Sequence, residues 1–116
     1  MMEDTQSILV SIRRMIGPSD TYNVFDQDLI IHINAAFSRL CQLGVGPTTP
    51  FHITGDEETW DEFIQDAGYQ EEIKQYVYLK VKMIFDPPAS GTVVNVYNEQ
   101  INMLEWTLKE VARFGY

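Results

Sequence analysis

Apolar positions recur at helical spacing along most of this chain. From Thr5 to Ile16, the residues Ile8, Leu9, Ile12, Met15 and Ile16 predict an amphipathic helix that stops at Gly17-Pro18. Ser19 to Phe25 reads as a loop. Asp26 is placed to cap a second helix, with Phe25 and Ile30 at the staple positions, and Gly44 supplies a left-handed stop. The stripe of that helix is Leu29, Ile30, Ile33, Ala36, Phe37, Leu40 and Cys41.

Between Val45 and Gly55 the helical period is lost. Gly46-Pro47-Thr48-Thr49-Pro50 is loop chemistry, and Phe51-His52-Ile53-Thr54 alternates like a short strand. A lone strand must find a partner for its backbone, within the fold or on another subunit. Helical spacing then returns. Thr59 and Glu62 match a capping box, with Trp60, Phe63 and Ile64 pointing inward, and the acids Asp56, Glu57, Glu58 and Asp61 suit the positive end of that helix.

From Tyr69 to Phe85 apolar side chains cover most of the helical circumference, which predicts a central helix covered on several sides. Lys80 falls inside the apolar arc and is expected to be a structurally paired buried charge. Asp86-Pro87-Pro88 ends the helix. A last, long helix from about Thr92 to Arg113 carries the stripe Val93, Tyr97, Ile101, Leu104, Leu108 and Val111, with Glu105 and Lys109 as an i,i+4 pair. The fold class is mainly α: a small bundle of about four to five helices with one short β-strand or hairpin segment in the 45–55 loop. Residues 1–116 are expected to form one domain.

Some apolar residues do not fit these stripes. Ile31 lies opposite the stripe of its helix, among Asn34, Ala35 and Ser38. Trp106 sits about 160° from Leu108 and forms a second apolar sector with Val96 and Met103. Phe114 and Tyr116 end the chain without an obvious internal partner. Together with Phe51 and Ile53, the residues Ile31, Trp106, Phe114 and Tyr116 are the interface candidates.

Composition narrows the function. With 45% hydrophobic and 22% charged residues the chain has the balance of a folded globular protein. Eight Lys and Arg against seventeen Asp and Glu give a net charge of −9, and the cations are scattered, which disfavours sequence-specific binding of nucleic acid. One cysteine, Cys41, leaves no internal disulfide framework. Met1 to Gln6 lacks the basic region of a secretory signal, and no apolar run is long enough to span a membrane. The expectation is a soluble protein.

Chemistry-bearing motifs are sparse. The sequence has no GxSxG, HExxH, Walker A or dinucleotide fingerprint, so no cofactor and no enzymatic activity is expected. Asp28 and His32 share a helix face at i,i+4 and are the sole footing for a metal-dependent enzyme, whose site would need further ligands. A third reading takes the acidity as DNA mimicry aimed at a host DNA-binding protein. It would need carboxylates spaced like phosphates, whereas these cluster near helix starts.

Several phrases carry a family likeness: Phe25-Asp26-Gln27-Asp28-Leu29-Ile30, Phe51-His52-Ile53-Thr54-Gly55, Glu58-Thr59-Trp60, Ile73-Lys74-Gln75-Tyr76-Val77-Tyr78-Leu79-Lys80-Val81, and Phe85-Asp86-Pro87-Pro88 before a long helix with Glu105-Trp106. In these the chain resembles the head–tail connector, or adaptor, proteins of tailed bacteriophages. The resemblance implies a virion subunit, put together in the host cytoplasm, that forms a dodecameric ring under the portal protein. Such a ring extends the DNA channel, passes DNA without reading its sequence, and docks stopper or tail-completion proteins.

Overall fold

A computed structural model describes residues 6–17, 22–65 and 67–114. Among them the helices are α1 (Ile8–Ile16), α2 (Asp26–Gln42), α3 (Trp60–Phe63), α4 (Ala67–Phe85) and α5 (Gly91–Phe114), with a single 3-10 turn (Tyr22–Phe25) leading into α2. The mainly helical class read from periodicity is what is found.

Several helix boundaries have an identifiable cause. The Ser7 hydroxyl caps α1 by accepting the Val10 N–H, and it donates to the Asp56 carbonyl at 2.8 Å. One side chain thereby caps α1 and ties it to the chain ahead of α3. The Ile8 N–H reaches the Glu58 carbonyl at 3.0 Å, and Ser7 and Thr59 form an isolated antiparallel bridge. At α2 the expected cap is corrected. Asp26 is the first helical residue and makes no cap; its carboxylate accepts two bonds from the Arg13 guanidinium of α1, at 2.9 and 3.1 Å. Gly44 adopts φ +83°, the left-handed stop expected there. Gly46, at φ +91°, is needed twice over: a Cβ there would also run into the Phe63 ring. The Thr59–Glu62 capping box of α3 forms with both of its bonds.

The central helix is α4, which packs against α1, α2 and α5. Its Ile73, Tyr76, Val77, Leu79 and Val81 are buried, as apolar residues around the whole circumference require. In its last turn Ile84 is exposed. An aromatic cluster fills the space between α2 and α3: Phe37 meets Phe51 at 5.1 Å and Phe63 at 4.7 Å between ring centroids. Trp60 is fully buried beside them, and its indole N–H donates to the Ser11 hydroxyl at 3.1 Å.

The expected strand at 51–54 is not formed; the segment is irregular. The physical reason lies in α2. The Asn34 side chain takes both backbone groups of Ile53, donating to its carbonyl at 3.0 Å and accepting its N–H at 2.8 Å. One carboxamide supplies the donor and acceptor that a neighbouring strand would have supplied. The Thr54 N–H is likewise taken by the Glu58 carboxylate at 2.9 Å. The alternation of Phe51 and Ile53 therefore reflects two inward side chains in a pinned loop.

A candidate interaction surface on helices α2 and α5

Helix α5 has 24 residues and is about 36 Å long, yet only Ile101 and Leu108 on it are buried. Tyr97, Leu104 and Ala112 are partly buried against the core. Val93, expected in the stripe, is exposed. The outward side of α5 carries Val96, Met103 and Trp106, and Trp106 keeps 64% of its surface in solvent. Beside this face a groove of about 420 Å³ runs between α4 and α5, lined by Gln75, Val96, Glu99, Gln100, Met103 and Leu104.

The other sequence candidates divide. Ile31 on α2 is 62% exposed and Phe114 at the end of α5 is 79% exposed. Phe51 is half-buried in the aromatic cluster and Ile53 is buried, so the monomer uses both internally. Tyr116 lies outside the described residues.

Electrostatic order is concentrated at one junction. Glu105 of α5 accepts the Tyr76 hydroxyl of α4 at 2.6 Å and a two-pronged pair of bonds from Arg39 of α2, at 3.2 and 3.4 Å. Burial pushes the Glu105 carboxyl up. Hydrogen bonds from Arg39 and Tyr76, with the charges of Arg39 and Lys80, outweigh it and hold the group below the usual carboxylate range. Burial raises the Tyr76 phenol far above its ordinary value, and the bond to Glu105 adds to the shift. Three helices are thus joined by one carboxylate. The i,i+4 partnership of Glu105 with Lys109 is superseded by this longer-range one.

Lys80 is half-buried rather than buried. Its ammonium lies 6.0 Å from the Tyr76 ring centroid, close enough for its charge to act on Glu105. Asp28 is exposed and His32 half-buried. Among the described residues no group of three or more His, Cys, Asp or Glu side chains is placed to hold a metal ion. No helix in that set is long and apolar enough to cross a membrane.

What the exposed side chains offer is apolar contact area on two helices of a rigidly tied bundle. Such area on a folded chain is the kind of surface that protein–protein contacts use. The chain belongs to the phage connector protein family, whose model matches residues 8–113, nearly the whole sequence. It is a structural component of the bacteriophage virion, of the head–tail connector kind. No curated protein and no solved structure matches it.

Proposed function

We propose that this chain is the repeating subunit of a ring seated beneath the portal of the filled head. The ring, dodecameric in the virion, extends the DNA channel and offers its far side to stopper or tail-completion proteins. The observation that carries this reading is the uncovered apolar face of α5, with Trp106 and Met103 largely in solvent on a chain of the connector family. An aromatic anchor left outside the core is the typical centre of a protein interface. The net charge of −9 suits a channel component, since a wall that gripped phosphates would slow the passage of DNA. Assembly takes place in the host cytoplasm, on the portal as template.

The reading as a DNA mimic finds less support. Asp26, Glu58, Glu62 and Glu105, four of the carboxylates such a protein would array outward, bond inside the chain to Arg13, to the 54–55 backbone, to the α3 cap, and to Arg39 with Tyr76.

Native mass spectrometry tests the proposal. The chain is measured alone and after mixing with portal assemblies of the same virus. The expected result is portal carrying multiple copies of the chain, whatever the oligomeric state of the chain alone. Portal that stays bare beside persistent monomer overturns it.

A further inference from the structure

With eight Lys and Arg against seventeen Asp and Glu, a cation that has no carboxylate beside it stands out in this chain. Among the described residues Arg13, Arg39, Lys74 and Lys82 each pair with a carboxylate, on Asp26, Glu105, Glu71 and Asp86 respectively. Within the same set Lys80, Lys109 and Arg113 form no such pair. Arg113 covers the Phe114 ring instead, 5.6 Å from its centroid.

Lys80 differs from the other two because it lines a crevice. A space of about 440 Å³ between α4 and α5 has Lys80, Met83 and Ile84 on one wall and Asn98, Asn102 and Glu105 on the other. Positions 98, 102, 105 and 109 follow one side of α5 at helical spacing, so Lys109 continues the second wall one turn beyond Glu105. Lys80 acts on Glu105 through its charge, yet Glu105 does not bond to it. One Glu105 oxygen accepts from Arg39, and the other accepts from Arg39 and Tyr76. The half-buried ammonium of Lys80 is left without a bonded anion.

The chemistry that suits this place is a carboxylate next to an apolar group. An anion that enters a crevice is screened by salt less than one on open surface. Asn98 and Asn102 are exposed, and their carboxamides can donate to the same anion. Ile84, 57% exposed, and the half-buried Met83 form an apolar lip beside the lysine. A neutral apolar segment fits less well, because it would cover Lys80 without pairing it. A DNA duplex also fits less well. Its row of phosphates would run past the two lysines onto a chain of net charge −9, whereas a short acidic segment ends where the cations end.

We propose that the crevice between α4 and α5 docks an acidic, amphipathic segment of a partner protein, with carboxylates on Lys80 and Lys109 and a neighbouring apolar side chain on Met83 and Ile84. Lys80 lies at the mouth of an already formed space, so the segment gains a charge-assisted contact without displacing an internal ion pair. The inference stands on the lone chain and does not require the ring.

Nuclear magnetic resonance on the isotope-labelled full chain tests it. The probes are a synthetic peptide helix with Glu and Leu repeated at i,i+4, the same peptide with Gln in place of Glu, and a short DNA duplex. The glutamate peptide is expected to shift the carboxamide signals of Asn98 and Asn102 and the methyl signals of Ile84. Lys80→Gln should weaken that binding about tenfold, and the surface variant Lys109→Gln should weaken it less. Lys74→Gln removes a charge that is paired elsewhere and should leave the affinity unchanged. Circular dichroism checks that each variant is folded. Equal binding of the glutamine peptide overturns the proposal in favour of a merely apolar groove, and stronger binding of the duplex overturns it in favour of a phosphate site. Shifts at Asn98 and Asn102 on raising the chain's own concentration overturn it in favour of a second copy. No shift at these residues with the glutamate peptide overturns it outright. No portal is present in these measurements, so each of these failures leaves the ring reading as it stands.

Discussion

Trp60→Ala is expected to cost about 3–5 kcal/mol of monomer stability, while Trp106→Ala changes it by no more than about 0.5 kcal/mol. The two indoles differ only in where the fold puts them. Trp60 is fully enclosed, with its N–H bonded to Ser11 and its ring near Phe37 and beneath Lys74. Its removal leaves a cavity in the aromatic cluster and takes away the indole N–H that the Ser11 hydroxyl accepts. Trp106 projects from α5 into water. Its loss should register in assembly, weakening association with portal-bound neighbours by about 2 kcal/mol, roughly thirtyfold. Urea denaturation of both variants, with parallel binding to portal, makes the comparison. A loss of several kcal/mol in the monomer for Trp106→Ala would place that indole in the core and remove the anchor from the proposed interface.

Glu105→Ala has the second large effect, a loss of roughly 1–3 kcal/mol, because it leaves the enclosed Tyr76 hydroxyl without an acceptor. Arg39, exposed at the rim, adds little by comparison. The junction also gives stability a pH dependence of known sign. The folded chain ionises Glu105 below the ordinary carboxyl value of 4.5, so its contribution is complete above that value and fades as pH falls through the depressed one. Acid titration of stability should therefore be flatter in Glu105→Gln than in the native chain over that window. At the alkaline end, the Tyr76 phenol should stay protonated in the folded chain well above the ordinary phenol value. Equal acid profiles for the native chain and Glu105→Gln would show that the carboxylate is not held by its neighbours.

The parts of this fold that depend on near neighbours were legible in the sequence. The Thr59–Glu62 capping box, the left-handed stop at Gly44 and the all-round apolar character of α4 follow from residues a few positions apart. What was not legible depends on partners far along the chain. Phe51 and Ile53 alternate as a strand would, but Asn34, on another element, supplies the backbone bonds that make a strand unnecessary. Asp26 has the chemistry of a cap and is drawn instead to Arg13. Glu105 has Lys109 one turn away and is claimed by Arg39 and Tyr76. A carboxylate with several possible partners is settled by tertiary geometry, which local spacing does not contain.

The candidate surface divides along the same line. Ile31 and Trp106 are recognisable because each opposes the stripe of its own helix, and burial follows helix phase. Val93 fits the stripe by phase and is exposed nonetheless. Helix phase says which way a side chain faces; it does not say whether anything stands opposite.

Hydroxyl-radical footprinting with peptide mass readout tests the central claim most directly, on the native sequence and without substitution. The chain contains two tryptophans, one enclosed and one exposed. In the free chain Trp106 and Met103 should oxidise readily and Trp60 slowly. Once the chain is seated on the portal, Trp106 and Met103 should become protected while Trp60 is unchanged. Oxidation of Trp106 at the same rate in free and portal-bound chain would contradict the account, because the face held to be built for neighbours would then still be open to water.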